Sequence, residues 1–141
     1  MKIKEFAFKN ICSYGNKVQT FKFSDDPNLI LVQGTNGSGK SSISDALTVS
    51  IYGKSGIRKI KEIPNRINKN AYTSVKFTAN NGDEVEIERG IEPNFSKILI
   101  NGNDYNLPDK RRVDEFIEEE LVKIPFNVFS NTISLSVNDF K

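Results

Sequence analysis

Histidine is absent from this chain and cysteine occurs once, at Cys12. An internal disulfide is thereby excluded, as are the usual imidazole and thiolate metal centres, so any metal would be a hard cation on oxygen ligands. No stretch approaches the ~20 consecutive apolar residues of a membrane span. Met1-Lys2-Ile3-Lys4-Glu5 alternates charge where a secretory leader would carry an apolar core, so the expectation is a soluble, cytoplasmic protein with no membrane partner. A strong charge imbalance is missing too. Twenty Lys and Arg against 18 Asp and Glu leave a net charge of +2, which does not by itself announce nucleic acid. Repeats and low-complexity tracts are likewise absent, and 141 residues suit one domain with one core.

What is present is periodic. Ile3 to Lys9 and Val18 to Phe23 alternate apolar and polar residues around Tyr14-Gly15-Asn16, predicting a half-buried hairpin with Phe6, Phe8, Phe21 and Phe23 in the core rather than on a base-stacking surface. Leu29-Ile30-Leu31-Val32 is an unbroken apolar run, the pattern of a strand covered on both faces. From Lys40 onward Ile43, Ala46, Leu47 and Ile51 fall at helical spacing, with Gly53 placed to cap the end. Strands through Val75, Phe77 and Ala79 and through Val85 and Ile87 flank the turn Asn80-Asn81-Gly82-Asp83, and a third, Lys97 to Ile100, closes at Asn101-Gly102. Asp109 is placed to cap a helix with an apolar face of Val113, Phe116, Ile117 and Leu121, stopped by Pro125. Its acids, Asp114 to Glu120, read as a solvated face, with Arg111 and Glu115 spaced for an i,i+4 pair.

Gly34-Thr35-Asn36-Gly37-Ser38-Gly39-Lys40-Ser41 fits the phosphate-loop pattern G-x-x-x-x-G-K-[ST] at every fixed position. Glycines remove side chains between the backbone N–H groups and phosphate oxygens, and the following helix directs the positive end of its dipole at the same anion. Lys40 is expected on the β- and γ-phosphates, the Ser41 hydroxyl on Mg²⁺, and Ser42 as a further contact. ATP and Mg²⁺ are the cofactors this implies. The acid pair that follows an apolar strand in P-loop ATPases is missing: Val113-Asp114-Glu115 follows Lys110-Arg111-Arg112, and Asp83-Glu84 follows a turn. ATP binding without efficient turnover is the resulting expectation for this chain alone.

Lys9-Asn10-Ile11-Cys12-Ser13-Tyr14-Gly15, the phosphate loop, Tyr52-Gly53-Lys54, Ile67-Asn68, Arg89-Gly90-Ile91-Glu92-Pro93-Asn94 and Asn101-Gly102 together resemble the ABC-type heads of SMC-like ATPases. More narrowly they resemble the SbcC and double-strand-break-repair group and the large ATPase subunit of T-even phage recombination endonucleases. The resemblance implies an α/β P-loop NTPase fold, the N-terminal lobe of a head over residues 1–141, with a mixed central sheet and an antiparallel β subdomain. It implies that a long coiled coil separates this lobe from a C-terminal half carrying the Mg²⁺-binding acid and catalytic Glu. Two heads would sandwich ATP, forming a homodimer that controls a partner nuclease on DNA, in the host cytoplasm for a phage protein. Ser13 and the loop residues Asn36, Gly37, Ser38 and Gly39 are the implied nucleotide contacts beside Lys40, Ser41 and Ser42. Cys12 stands where many cellular relatives carry an arginine. The family's glutamine between Mg²⁺ and water aligns with Asn131, which makes Lys40 and Asn131 the catalytic candidates and Ser41 and Asn131 the metal candidates.

Between Lys54 and Lys69 lie Lys54, Arg58, Lys59, Lys61, Arg66 and Lys69 against one acid, Glu62. Six cations less one acid leave five net positive charges, so Arg58, Lys59 and Lys61 are candidate DNA contacts, the alternative being a solvated loop. Two other functions fit the motif: an SMC- or RecF-like clamp without a nuclease, and a compact P-loop kinase acting on a small molecule.

Overall fold

The computed structural model describes residues 2–12, 14–22, 40–55 and 59–129, with the backbone alone for Lys40, Ser41, Ser42 and Lys110. The sheet has six strands in the order β2-β1-β3-β4-β5-β6. They are β1 Lys2–Lys9, β2 Gln19–Lys22, β3 Ala71–Thr78, β4 Glu84–Ile91, β5 Phe95–Ile100 and β6 Asn103–Tyr105. Each paired neighbour runs antiparallel. The expected mixed sheet is therefore represented among the described residues by its antiparallel part, and the apolar run at 29–32 lies outside them. None of the described helices is long and apolar enough to cross a membrane.

Alternation places side chains as the period of two demands. In the β3–β4 register Phe77 faces Val85, Val75 faces Ile87 and Ala71 faces Ile91, and all six are buried. Phe6 and Phe8 continue that layer, their rings 5.3 Å apart and stacked with Phe21 at 5.9 and 6.2 Å. Phe23 lies outside the described residues. On the opposite face Lys76 reaches Glu5 at 3.9 Å, Lys4 reaches Glu84 at 3.1 Å and Lys97 reaches Asp104 at 3.6 Å, a solvated surface of cross-strand pairs. Asn101 and Gly102 both adopt positive φ, 51° and 83°, which makes the two-residue link between β5 and β6 that an Asn-Gly dipeptide favours.

Helix α1, Lys40–Tyr52, packs on β3 and β4. It has no basic residue in its last turn, and its final carbonyls are capped from the sheet instead. Arg89 of β4, 5% exposed, donates from Nε to Ser50 O at 3.0 Å and from Nη2 to Ile51 O at 2.9 Å. Its Nη1 donates to Ser96 Oγ at 3.1 Å and to Asp114 Oδ1 at 2.6 Å. Burial pulls the guanidinium below its ordinary value and Asp114 pushes it back, and arginine remains charged throughout the accessible pH range. Gly53 follows with φ +74°, and a Cβ there would lie 2.9 Å from Arg89 Nη1 and 3.0 Å from the Asp114 carboxylate, so glycine is required for both backbone and space.

The segment after Pro108 keeps its expected apolar face and changes its backbone. Asp109 caps as anticipated, accepting from Arg111 N at 3.0 Å, but a 3₁₀ turn at Lys110–Arg112 leads to one α turn, α2 Val113–Phe116, and then a π-helical turn at Ile117–Val122. Ile117 and Leu121 are buried all the same, because a small change of turn width leaves the face inward. The expected Arg111–Glu115 pair is replaced: Arg111 folds back onto Asp109 at 3.1 Å and Arg112 approaches Glu115 at 4.0 Å. Nor are the acids simply solvated, since Asp114 holds Arg89 and Glu118 accepts from Phe126 N at 2.7 Å. Tyr52 completes the joint, donating its hydroxyl to Ile124 O at 2.7 Å and touching the Phe126 and Phe129 rings at 5.5 and 5.3 Å.

Arg89→Met should lower the unfolding free energy by about 3 kcal/mol, because two helix-end carbonyls lose their donor, and Asp114→Asn by about 1 kcal/mol, because that carboxylate is half exposed. Denaturant titration of both variants checks this ranking; equal losses would mean that the ion pair outweighs the carbonyl caps. Tyr72 offers a pH test. Burial first, then its 2.9 Å bond to Glu88 and that residue's charge, push its hydroxyl from 10.0 up to about 12. The folded state thus holds this proton more tightly than the unfolded state does, so the contribution is complete below pH 10 and is lost as pH rises towards 12. Stability measured across that window should converge for wild type and Tyr72→Phe.

Candidate functional site

The first turn of α1 starts at Lys40, which follows the glycine-rich residues 34–39 in the sequence, and a helix start carries unpaired backbone N–H groups and the positive end of the dipole. Farther along, Thr48 and Ser50 donate their hydroxyls to Ser44 O and Leu47 O, so the polar residues buried within the helix are satisfied internally. After Gly53 the chain turns back along α1: Ser55 Oγ donates to the buried Asp45 Oδ1 at 2.8 Å, ten residues upstream.

Residues 63–70 meet the turn that follows β1. Ile11 forms an isolated antiparallel bridge with Pro64, and Cys12 N donates to Ile63 O at 2.7 Å. Asparagines tie the rest together. Asn10 Nδ2 donates to Asn16 Oδ1 at 3.0 Å and to Asn70 O at 3.2 Å, while Asn65 Nδ2 donates to Cys12 O at 2.9 Å. Asn10 and Cys12 take φ values of 55° and 51°, a left-handed conformation that Asn tolerates and Cys adopts at some cost. The Cys12 side chain packs, half-buried, against the core.

Lys59, Lys61, Arg66 and Lys69 are exposed on this returning segment, and none has a carboxylate partner among the described residues. Lys54 does not join them; its Nζ lies over the Phe126 ring at 4.4 Å. Ile67, between Arg66 and Lys69, is 90% exposed on a turn braced by two bonds from Ile67 N and Asn68 N to Asn65 Oδ1, at 3.0 and 3.1 Å.

Of the residues singled out in the sequence, Lys40, Ser41 and Ser42 form the first turn of α1 and Lys59 and Lys61 flank and join a 3₁₀ turn at Ile60–Glu62. Ser13, Asn36, Gly37, Ser38, Gly39, Arg58 and Asn131 lie outside the described residues. Among the described residues no cluster of His, Cys, Asp or Glu could hold a metal. The donors proposed for Mg²⁺, the Ser41 hydroxyl and Asn131 amide oxygen, are neutral oxygens of the kind Mg²⁺ accepts, so their chemistry fits. Asn65 and Arg89 were not anticipated as organising side chains. For Asn65 the available signal was the asparagine run 65, 68, 70, the composition of Asx turns. A cleft of about 730 Å³ opens at the other end of α1, among Gly53, Ile60, Arg89, Phe95, Tyr105 and Asp114. It stands apart from the helix start, where a phosphate would be drawn.

Comparison with known proteins agrees with this geometry. A family model described as AAA domain matches residues 7–140. The chain is 31% identical over 131 residues to the DNA double-strand break repair Rad50 ATPase of Archaeoglobus fulgidus, covering 93% of this chain and 14% of the relative. To Exonuclease subunit 2 of Enterobacteria phage T4 it is 26% identical over 136 residues, covering 95% of this chain and 24% of the relative. Among solved structures, one described under "Structural biochemistry of ATP-driven dimerization and DNA stimulated activation of SMC ATPases" superposes with a TM-score of 0.59 at 27% identity, over 75% of this chain and 73% of that one. The chain thus spans between a seventh and a quarter of the length of the two relatives.

The unpaired cations on residues 59–69 should give the chain a salt-sensitive affinity for phosphate polymers. Replacing Lys61, Arg66 and Lys69 by Ala should flatten the dependence of log affinity for duplex DNA on log salt by roughly 0.9 for each phosphate no longer neutralised. An unchanged slope in fluorescence anisotropy would mean that these cations do not meet phosphate.

Proposed function

The chain belongs to the AAA domain family, alongside Rad50 and phage exonuclease ATPases, and from that membership we propose that it binds ATP with Mg²⁺ as one lobe of an SMC-like head. The observation that carries the reading is the start of α1 at Lys40, directly behind Gly34-Thr35-Asn36-Gly37-Ser38-Gly39, on a helix whose far end Arg89 immobilises. A helix so held keeps its N-terminal N–H groups aimed at one place, which a triphosphate can fill without reorganising them.

In this reading backbone N–H groups of residues 36–39 donate to phosphate oxygens, and Lys40 supplies a point charge to the β- and γ-phosphates. Ser41 and Asn131 hold Mg²⁺, which when bound neutralises charge developing on the phosphates. Ser42 and Ser13 provide further nucleotide contacts, and Asn131 orients a water molecule near the terminal phosphate. An acid to complete the hydrolytic site does not stand in a suitable sequence context, so turnover requires a C-terminal half of the same head and a second head across bound nucleotide. The similar SMC structure is described in terms of ATP-driven dimerisation and DNA-stimulated activation, and the phage relative is named as an exonuclease subunit. These support a role in DNA repair or recombination in which ATP binding controls DNA processing by a nuclease partner, with Arg58, Lys59 and Lys61 on the DNA side.

The test is titration with a fluorescent, slowly hydrolysed ATP analogue in the presence of Mg²⁺, beside a phosphate-release assay on ATP. Saturable binding that Lys40→Ala weakens at least tenfold, with negligible turnover, is the expected result. Vigorous turnover by these 141 residues alone would contradict the need for a second half.

A further inference from the structure

Four residues from four strands form one row across the sheet, at the end where the basic turn enters β3. Lys9 stands opposite Tyr72, Tyr72 opposite Gly90, and Gly90 opposite Phe95. Directly opposed residues point to the same face of a sheet. Their neighbours Phe8, Thr73 and Arg89 are buried on the inner face, which puts this row on the solvated one. Gly90 leaves a gap there that the Phe95 ring fills, and a Cβ on Gly90 would collide with that ring. An aromatic neighbour covering a strand glycine stabilises the sheet, yet Phe95 keeps 46% of its surface in solvent. Tyr72 flanks the same glycine from the other side, its ring centroid 6.5 Å from that of Phe95 and tilted by 37°. Its hydroxyl donates to Glu88 at 2.9 Å, which fixes the ring and engages that carboxylate.

Cations border the two rings. Lys9 has no carboxylate partner among the described residues, and neither have Arg66 and Lys69 on the turn that enters β3. The bond from Asn10 Nδ2 to Asn70 O, 3.2 Å, ties the end of β1 to that turn, so Lys9 and Lys69 share one end of the sheet with the rings. We propose that Tyr72 and Phe95 form a stacking platform for unpaired bases of single-stranded DNA, with Lys9 and Lys69 on the flanking phosphates. Every base has a π-face, so such a platform takes any sequence. A duplex keeps its bases stacked on one another and offers only phosphates, so the platform separates unpaired from paired DNA. Rings already held by Gly90 and Glu88 need little ordering when a base arrives. The inference rests on the reading of this chain as acting on DNA and is independent of ATP binding.

The experiment compares a short single-stranded oligonucleotide with a blunt duplex of the same sequence on the full chain, by fluorescence anisotropy. A second copy of the single strand carries the fluorescent base analogue aminopurine, whose emission is quenched when it stacks. The wild type should bind the single strand and quench the analogue. Phe95→Leu should weaken single-strand binding about tenfold and remove the quenching, with duplex affinity close to wild type as the control for folding. Phe95→Tyr should restore both. Lys9→Gln, a change at a partly exposed position, should keep the quenching and lower the salt slope for the single strand by about 0.7. Duplex binding without quenching of the single strand overturns the platform, as do equal losses for both forms of DNA in Phe95→Leu or an unchanged slope in Lys9→Gln. Failure of the wild type to bind either form overturns the DNA reading itself, and the platform with it.

Discussion

A single buried guanidinium sets the geometry on which the remainder depends. Arg89 joins the last carbonyls of α1 to β5 through Ser96 and to α2 through Asp114. Burying that charge has a desolvation cost, offset by four hydrogen bonds, one of them charge-assisted on both sides. Gly53 is the corollary, since any side chain there would enter the space that the guanidinium and the Asp114 carboxylate occupy. The helix is 13 residues long, about 20 Å at 1.5 Å per residue, so orientation fixed at its C-terminal end is delivered at Lys40.

Charge is distributed unevenly over the surface. On the solvated face of the sheet, lysines meet acids on other strands, Lys76 with Glu5, Lys4 with Glu84 and Lys97 with Asp104. On residues 59–69 no such partners are provided for the lysines and arginine among the described residues, although the Asn65 side chain braces the backbone there. Order without charge neutralisation supports the anionic partner proposed for this segment. It stands in contrast to the cleft at the far end of α1, where Arg89 is already committed to its own helix, sheet and carboxylate.

Among the described residues, sequence reading and structure agree on the strands and turns of the antiparallel sheet and on helix α1. Phe6, Phe8, Val75, Phe77, Val85 and Ile87 face inward because a strand alternates, and Gly53 and Gly102 take positive φ because glycine does so without a Cβ clash. The segment 109–122 shows where such patterns stop. Periodicity reports which face is apolar but does not distinguish an α turn from a π turn that buries the same Ile117 and Leu121. Arg111 could have reached Glu115, yet Asp109 was closer once the first turn tightened to 3₁₀, and a local partner costs less side-chain entropy.

Short-range chemistry along the chain is enough to specify the glycine loop and the helix behind it, the antiparallel hairpins, and the exclusion of thiolate and imidazole sites. These follow from residue types within a few positions of one another, where backbone sterics and periodic burial act. Folding was needed before Arg89 could cap α1 across 39 and 38 residues, Asp114 join it across 25, and Asn65 close a bond across 53. Arginine, aspartate and asparagine are each at home on a surface, and nothing within their sequence neighbourhoods requires otherwise. The carbonyls that Arg89 and Asn65 bind become acceptors in need of a donor only after the helix has ended and the sheet has packed against it.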